Sequence, residues 1–192
     1  MENRFVAIVG MCGAGKSIVA DRLVLDGYGF FRFGQIVLDI VKERGLELTE
    51  DNERSVREEV RAEHGMGAMA ILNLPKIRSL LAKGDVVGDG LYSWTEYKIL
   101  KSEFGDRMSV VAVHARPALR HERISKRVMG SDDKDLRNRP FSVEAARKRD
   151  FAEIENIEKG GPIAMADFMI ENHGTKEEFR AKIDDVIRGL KG

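Results

Sequence analysis

The apolar positions of this chain gather into short unbroken runs separated by stretches of helical period. Phe5-Val6-Ala7-Ile8-Val9 is the first run, and its length and continuity fit a strand buried on both faces. Asp85-Val86-Val87-Gly88-Asp89, Met108 to His114 and Phe168-Met169-Ile170 repeat the pattern. Tyr28-Gly29-Phe30-Phe31-Arg32-Phe33 predicts a further strand, second in chain order. Between these runs the period is that of a helix. Ser17 to Leu23 has it, as does Gly34 to Arg44, which Gly45 closes as a C-terminal cap. Thr49 caps a charged helix from Glu50 to about Glu63. Another helix spans about Gly67 to Ala82, with Met69, Leu72, Ile77, Leu80 and Leu81 inward and a kink expected at Pro75. Ser93 with Glu96, and Thr175 with Glu178, have the spacing of capping boxes. Phe179, Ile183, Val186, Ile187 and Leu190 line the last helix. Strands alternating with helices predict an α/β chain whose parallel sheet is covered on both faces.

The first strand runs into Gly10-Met11-Cys12-Gly13-Ala14-Gly15-Lys16-Ser17, a complete G-x-x-x-x-G-K-S loop, and a helix follows at once. Strand, glycine loop and helix in that order make a phosphate cradle. Backbone N–H groups from Gly10, Gly13, Ala14, Gly15, Lys16, Ser17 and Ile18 are expected around the phosphates of a nucleoside triphosphate, aided by the helix N-terminus. Lys16 is expected to reach the β- and γ-phosphates and the Ser17 hydroxyl to ligate Mg²⁺. No Asn-Lys-x-Asp guanine motif occurs, which favours ATP.

Composition changes this picture little. The chain has 192 residues, 43% hydrophobic and 33% charged, with zero formal net charge. That suits one domain over 1–192 and gives no global attraction to nucleic acid or an anionic membrane. The apolar runs are strand-sized, too short for a membrane span. Cys12 is the only cysteine, so no intrachain disulfide forms, and the first strand begins too early to leave room for a signal peptide. Both point to a cytoplasmic protein. Nothing in the sequence fixes an oligomeric state.

Asp89 ends the third strand, at the sheet edge where ligands bind, and can hold Mg²⁺ as the partner of Ser17. Asp85 begins the same strand and therefore lies at the far edge. Between Arg116 and Arg149 eleven Lys or Arg stand against five Asp or Glu. Pro117 opens a long basic helix there, with Arg120, Arg123 and Arg127 on one face by their spacing. Ser142 caps a second helix carrying Arg147 and Arg149, and a polar hinge with Arg137 and Arg139 joins the two. The segment at about 116–150 reads as a lid whose closure neutralises charge on a transferring phosphoryl group. Arg123, Arg127 and Arg139 are the catalytic candidates beside Lys16 and Asp89.

On these residues the chain resembles the nucleoside monophosphate kinase group of P-loop proteins, and within it the small dephospho-CoA-kinase-like and adenylate-kinase-like proteins of archaea and bacteria. The loop at 10–17, the Asp89-Gly90 pair, the arginine-bearing lid and Ala166-Asp167-Phe168-Met169-Ile170-Glu171-Asn172-His173-Gly174 carry the resemblance. It implies a P-loop NTPase fold with a five-stranded parallel sheet of order 2-3-1-4-5. It also implies an acceptor-binding helical insertion at about 34–83, and Asn172 and Gly174 beside the adenine base.

The acceptor side departs from the pattern. Phe33-Gly34-Gln35-Ile36-Val37-Leu38 stands where adenylate kinases have T-G-D-x-x-R, Leu91-Tyr92-Ser93 replaces F-P-R after Asp-Gly, and Phe31-Arg32-Phe33 replaces the Asp-x-Asp of dephospho-CoA kinases. Arg32, Gln35, Arg57, Arg61 and Tyr92 are the polar groups left to build a different acceptor pocket. Arg57 and Arg61 either grip an acceptor phosphate or pair with Glu53 and Glu58 on the surface. The leading expectation is an ATP-dependent phosphotransferase acting on a nucleotide-like small molecule, a nucleoside monophosphate or a dephospho-CoA-like acceptor. The alternative is a regulatory ATP-binding module with little or no kinase activity.

Overall fold

A computed structural model describes residues 2–128 and 140–191. Five parallel strands form one sheet: β1 (Phe5–Val9), β2 (Gly29–Arg32), β3 (Val86–Asp89), β4 (Met108–His114) and β5 (Phe168–Glu171). Their order is β2-β3-β1-β4-β5. This is the P-loop NTPase topology, with β1 at the centre. The register places Ile8 beside Asp89 and Asp89 beside Arg32, so the C-terminal ends of β1, β2 and β3 share one edge. Asp85 lies at the opposite edge, where its carboxylate accepts from the Arg4 N–H at 2.7 Å.

Strand alternation divides the core. Phe5, Ala7 and Val9 face Phe31, Phe33, Ile77, Leu100 and Phe104, under α4 (Ala68–Leu81) and α5 (Trp94–Phe104). Val6 and Ile8 point the other way, to α1 (Lys16–Leu25) and α9 (Lys176–Lys191), through Val19, Leu23, Phe179 and Ile183. A glycine is required at 88 for space: a Cβ there would stand 2.6 Å from the Phe31 ring and 2.9 Å from Phe33. Those rings pack on each other in a tilted arrangement, 4.8 Å between centres. A third cluster, including Val37, Val41, Val56, Val60 and Met69, joins α2 (Gln35–Glu43), α3 (Glu50–His64) and α4 apart from the sheet.

Helix ends follow local chemistry. Thr49 accepts from the Asn52 N–H, Ser142 from that of Ala145, and Ser93 with Glu96 forms a complete capping box. Thr175 and Glu178 exchange the same pair of bonds. Pro75 lies inside α4. One expectation needs correction. The basic helix opened by Pro117 is short: α6 is Pro117–Ser125, and the Arg127 N–H closes a tight turn on the Ile124 carbonyl. A short helix, α8 (Gly160–Ala164), follows α7 (Val143–Glu155). A single 3₁₀ turn at Gly105–Arg107 leads into β4. Arg137 and Arg139 lie outside the described residues.

Candidate functional site

The glycine loop is shaped by residues that cannot be replaced without collision. Gly10 has φ of 147°, and a Cβ there would stand 2.3 Å from the Val113 carbonyl oxygen. Gly15 has φ of 107°, and its Cβ would stand 2.6 Å from the Asn172 amide nitrogen. Only glycine takes both the left-handed backbone and the close approach. Lys16 opens α1 and curls back over the loop, donating to the Gly10 carbonyl at 2.8 Å and the Met11 carbonyl at 3.2 Å. Burial, and then the neighbouring charge of Lys159, push the Lys16 ammonium down to about 8, against the opposing pull of Asp89. A strained cation of this kind gains when an anion enters.

Two distant segments brace the loop. Arg120 on α6 is 4% exposed and donates to the Cys12 carbonyl at 3.0 Å. It also makes a bidentate pair with Asp150 of α7, at 2.9 and 2.7 Å, and His121 Nε2 lies 2.8 Å from the same carboxylate. Asn172, just past β5, donates to the Ala14 carbonyl at 2.8 Å and accepts from Arg123 at 3.2 Å. Of the three arginines that spacing places on one face, Arg120 therefore turns inward, while Arg123 and Arg127 line the open space beside the loop.

That space is a cavity of about 440 Å³. The loop forms one wall with Cys12, Gly13, Gly15, Lys16, Ser17 and Ile18. Arg32, Gly34, Val37, Leu38, Glu53, Arg57, Arg61 and Met69 form another, from β2, α2, α3 and α4. Asp89, Gly90 and Tyr92 lie between them, and Arg123, Arg127, Phe141, Arg149, Glu153 and Lys159 come from α6, α7 and the chain beside them. Nine Lys or Arg line it against three carboxylates, in a chain with no net charge. Nη1 of Arg123 and Nε of Arg61 are buried without a hydrogen-bond partner among the described residues.

Most expected site residues converge there, and two do not. Gln35 lies off the cavity and donates to Asp39 at 3.0 Å, one helical turn on. Gly174 also lies off it, against the Glu178 carboxylate that caps α9. Arg57 stands 3.9 Å from Glu53, and both face the cavity. Ser17 and Asp89 supply a hydroxyl and a carboxylate, the hard oxygen donors Mg²⁺ takes. Among the described residues no group of three or more His, Cys, Asp or Glu could hold a metal unaided. A Mg²⁺ here would rely on phosphate oxygens for its remaining ligands.

Sequence reasoning missed Glu153 and Lys159. Glu153 accepts from Arg149 at 3.0 Å and from Lys159 at 2.7 Å, and the Lys159 ammonium lies 4.6 Å from the centre of the Tyr92 ring. Burial alone would raise the Glu153 carboxyl, but Lys159 and then Arg149 outweigh it and hold it at about 2. The signal available was the helical i, i+4 spacing of Arg149 and Glu153.

Comparison with known proteins places this geometry. The AAA domain pattern matches residues 6–158. A UPF0200 protein of Thermococcus gammatolerans is 37% identical over 191 residues, covering 96% of each chain. Shikimate kinase from Acinetobacter baumannii, solved with shikimate, superposes with a TM-score of 0.60 at 19% identity, over 98% of this chain and 93% of that one. A gluconokinase from Sinorhizobium meliloti gives 0.51 at 14% identity, over 99% and 97%. The two enzymes share the fold; the closer relationship is with the archaeal protein. The chain belongs to the AAA domain family and to the UPF0200 proteins.

Proposed function

We propose that the chain is an ATP-dependent phosphotransferase that moves the γ-phosphoryl group to a nucleotide-like small-molecule acceptor. The observation that carries this reading is the single cavity that joins the glycine loop to the Arg32, Arg57 and Arg61 wall, with lid arginines between. A site that only bound a triphosphate would have no use for a second cationic wall beyond the phosphates. The solved neighbours, a shikimate kinase and a gluconokinase, are small-molecule kinases and support the same class.

In this reading the loop N–H groups and Lys16 hold the β- and γ-phosphates, with Asn172 toward the base. Ser17 and Asp89 hold Mg²⁺, which neutralises phosphate charge when bound. Arg123, Arg127 and Arg139 offset the charge that spreads over the oxygens of the moving phosphoryl group. Arg32, Arg57 and Arg61 hold an anionic acceptor over the apolar patch of Val37, Leu38 and Met69, with Tyr92 beside it. Phosphoryl transfer needs positioning and charge neutralisation more than a proton acceptor. The single cysteine suits a cytoplasmic setting, and no helix among the described residues is long and apolar enough to cross a membrane.

The test is to give the purified protein ATP labelled at the γ position with a panel of nucleoside monophosphates, dephospho-CoA, shikimate and gluconate. Label appearing in a nucleotide-like compound is the expected result. ATP binding with no labelled product would favour a regulatory module, a reading supported by Gln35, which turns to Asp39 instead of the acceptor wall.

A further inference from the structure

We propose that Lys159 and Arg149, held together by Glu153, form a second phosphoryl-binding site in the cavity, one that grips the terminal phosphoryl group of the bound triphosphate. This rests on the nucleotide reading above and extends it to residues that no motif marks.

The cluster is built across the end of α7. Arg149 and Glu153 are one turn apart, and the chain after the helix folds back so that the Lys159 N–H meets the Glu153 carbonyl at 3.1 Å. The carboxylate then divides its oxygens, Oε1 to Arg149 and Oε2 to Lys159. Glu153 is the one carboxylate bonded to both cations, and Lys159 is only 2% exposed. Burying a cation without full compensation is costly unless an anion joins it. The described hydrogen bonds occupy one of the three N–H donors of the Lys159 ammonium.

Position identifies the anion. Lys159 lines the same cavity as Lys16 and Ser17 of the glycine loop, so it faces the triphosphate side. It also lies over Tyr92, whose hydroxyl would be 3.9 Å from a Cβ at Gly34, in the turn that starts the acceptor wall. The cluster therefore stands at the junction of donor and acceptor, where the terminal phosphoryl group would sit. A purely architectural bridge that closes the turn after α7 would have no reason to distinguish a triphosphate from a diphosphate.

The experiment measures dissociation constants for ATP and ADP, each with Mg²⁺, by titration calorimetry on the wild-type protein and Lys159→Met. The expected result is a loss of ATP affinity of about ten- to a hundredfold, the range for a charge-assisted hydrogen bond, with ADP affinity changed less than about twofold. Equal losses for the two nucleotides, or no loss, would overturn the proposal and leave the nucleotide reading standing. A wild-type protein that binds neither nucleotide would sink both. If Lys159→Met does not fold, lysine side-chain NMR on the wild-type protein decides instead. The Lys159 Cε and Nζ signals should move with a non-hydrolysable ATP analogue and stay in place with ADP; the same response to both, or to neither, overturns the proposal.

Discussion

Arg120 and Asp150 form a bidentate pair across α6 and α7, and the same guanidinium holds the Cys12 carbonyl of the glycine loop. The two side chains are 5% and 12% exposed, so the pair is shielded from water and salt. Asp150→Ala would leave a buried guanidinium without its counter-charge. A loss of about 3–5 kcal/mol is expected by urea unfolding, with weaker nucleotide binding in the folded fraction. A loss below about 1 kcal/mol would show the pair to be behaving as an exposed one.

Lys16 gives nucleotide affinity a pH dependence. Its ammonium, held down to about 8 by burial and by Lys159, loses its proton as the pH rises through that value. ATP needs the charged form, so affinity should fall above pH 8 by up to about tenfold per unit. Folding stability runs the other way. The unfolded lysine titrates near 10.5, so between about 8 and 10.5 the unfolded chain binds more protons, and this group's contribution to stability rises with pH. Lys16→Met should remove both slopes, and Lys16→Ala should abolish triphosphate turnover with the fold intact. Wild-type turnover in either variant would refute the role of the loop.

Asp89→Asn should weaken Mg²⁺-dependent turnover far more than Mg²⁺-free nucleotide binding. Calorimetry with and without EDTA separates the two. Equal losses would make Asp89 a strand-end residue with no part in holding metal.

The lid arginines should act on the rate. Arg123→Ala, Arg127→Ala and Arg139→Ala are expected to lower kcat by about 10²–10³, with a much smaller rise in the KM for ATP. Arg123 also donates to Asn172, so its KM effect should exceed that of Arg127. Unchanged kcat in all three would reduce the segment to a basic surface.

Glu96 sets a second pH window, in stability alone. Burial pushes its carboxyl up to about 7, although the Tyr92 and Ser93 N–H groups bond to it and pull the other way. The unfolded group titrates near 4.5, so its stabilising contribution is present below 4.5 and is lost as the pH rises through about 7. Glu96→Gln keeps an acceptor for the capping box and removes the titration. Its melting temperature should be flatter than wild type between pH 4.5 and 7, and unchanged curvature would refute the assignment.

What could be read in the chain was what depends on near neighbours. The Gly10–Ser17 loop, the capping residues Thr49, Ser93 and Ser142, and the β4 run from Met108 to His114 are all set by residues within a few positions. Side-chain direction was not legible at the site. Spacing put Arg120 with Arg123 and Arg127, but Asp150, thirty residues away, draws Arg120 inward. Sequence position made Gln35 an acceptor candidate, but it bonds Asp39 one turn along and lies off the cavity. Lys159 shows no helical or motif context, because its meaning comes from Glu153 and Tyr92, which meet it only in the folded chain.

The two braces on the glycine loop bear on the order in which the molecule becomes competent. Cys12 is tied to Arg120, 108 positions later, and Ala14 to Asn172, 158 positions later. The loop leaves the ribosome before either support, the later of them 158 positions on. A growing chain therefore carries the whole nucleotide motif over that stretch of synthesis without both of its braces. Ligand binding then favours the chain in which β5 has docked and Asn172 holds the loop.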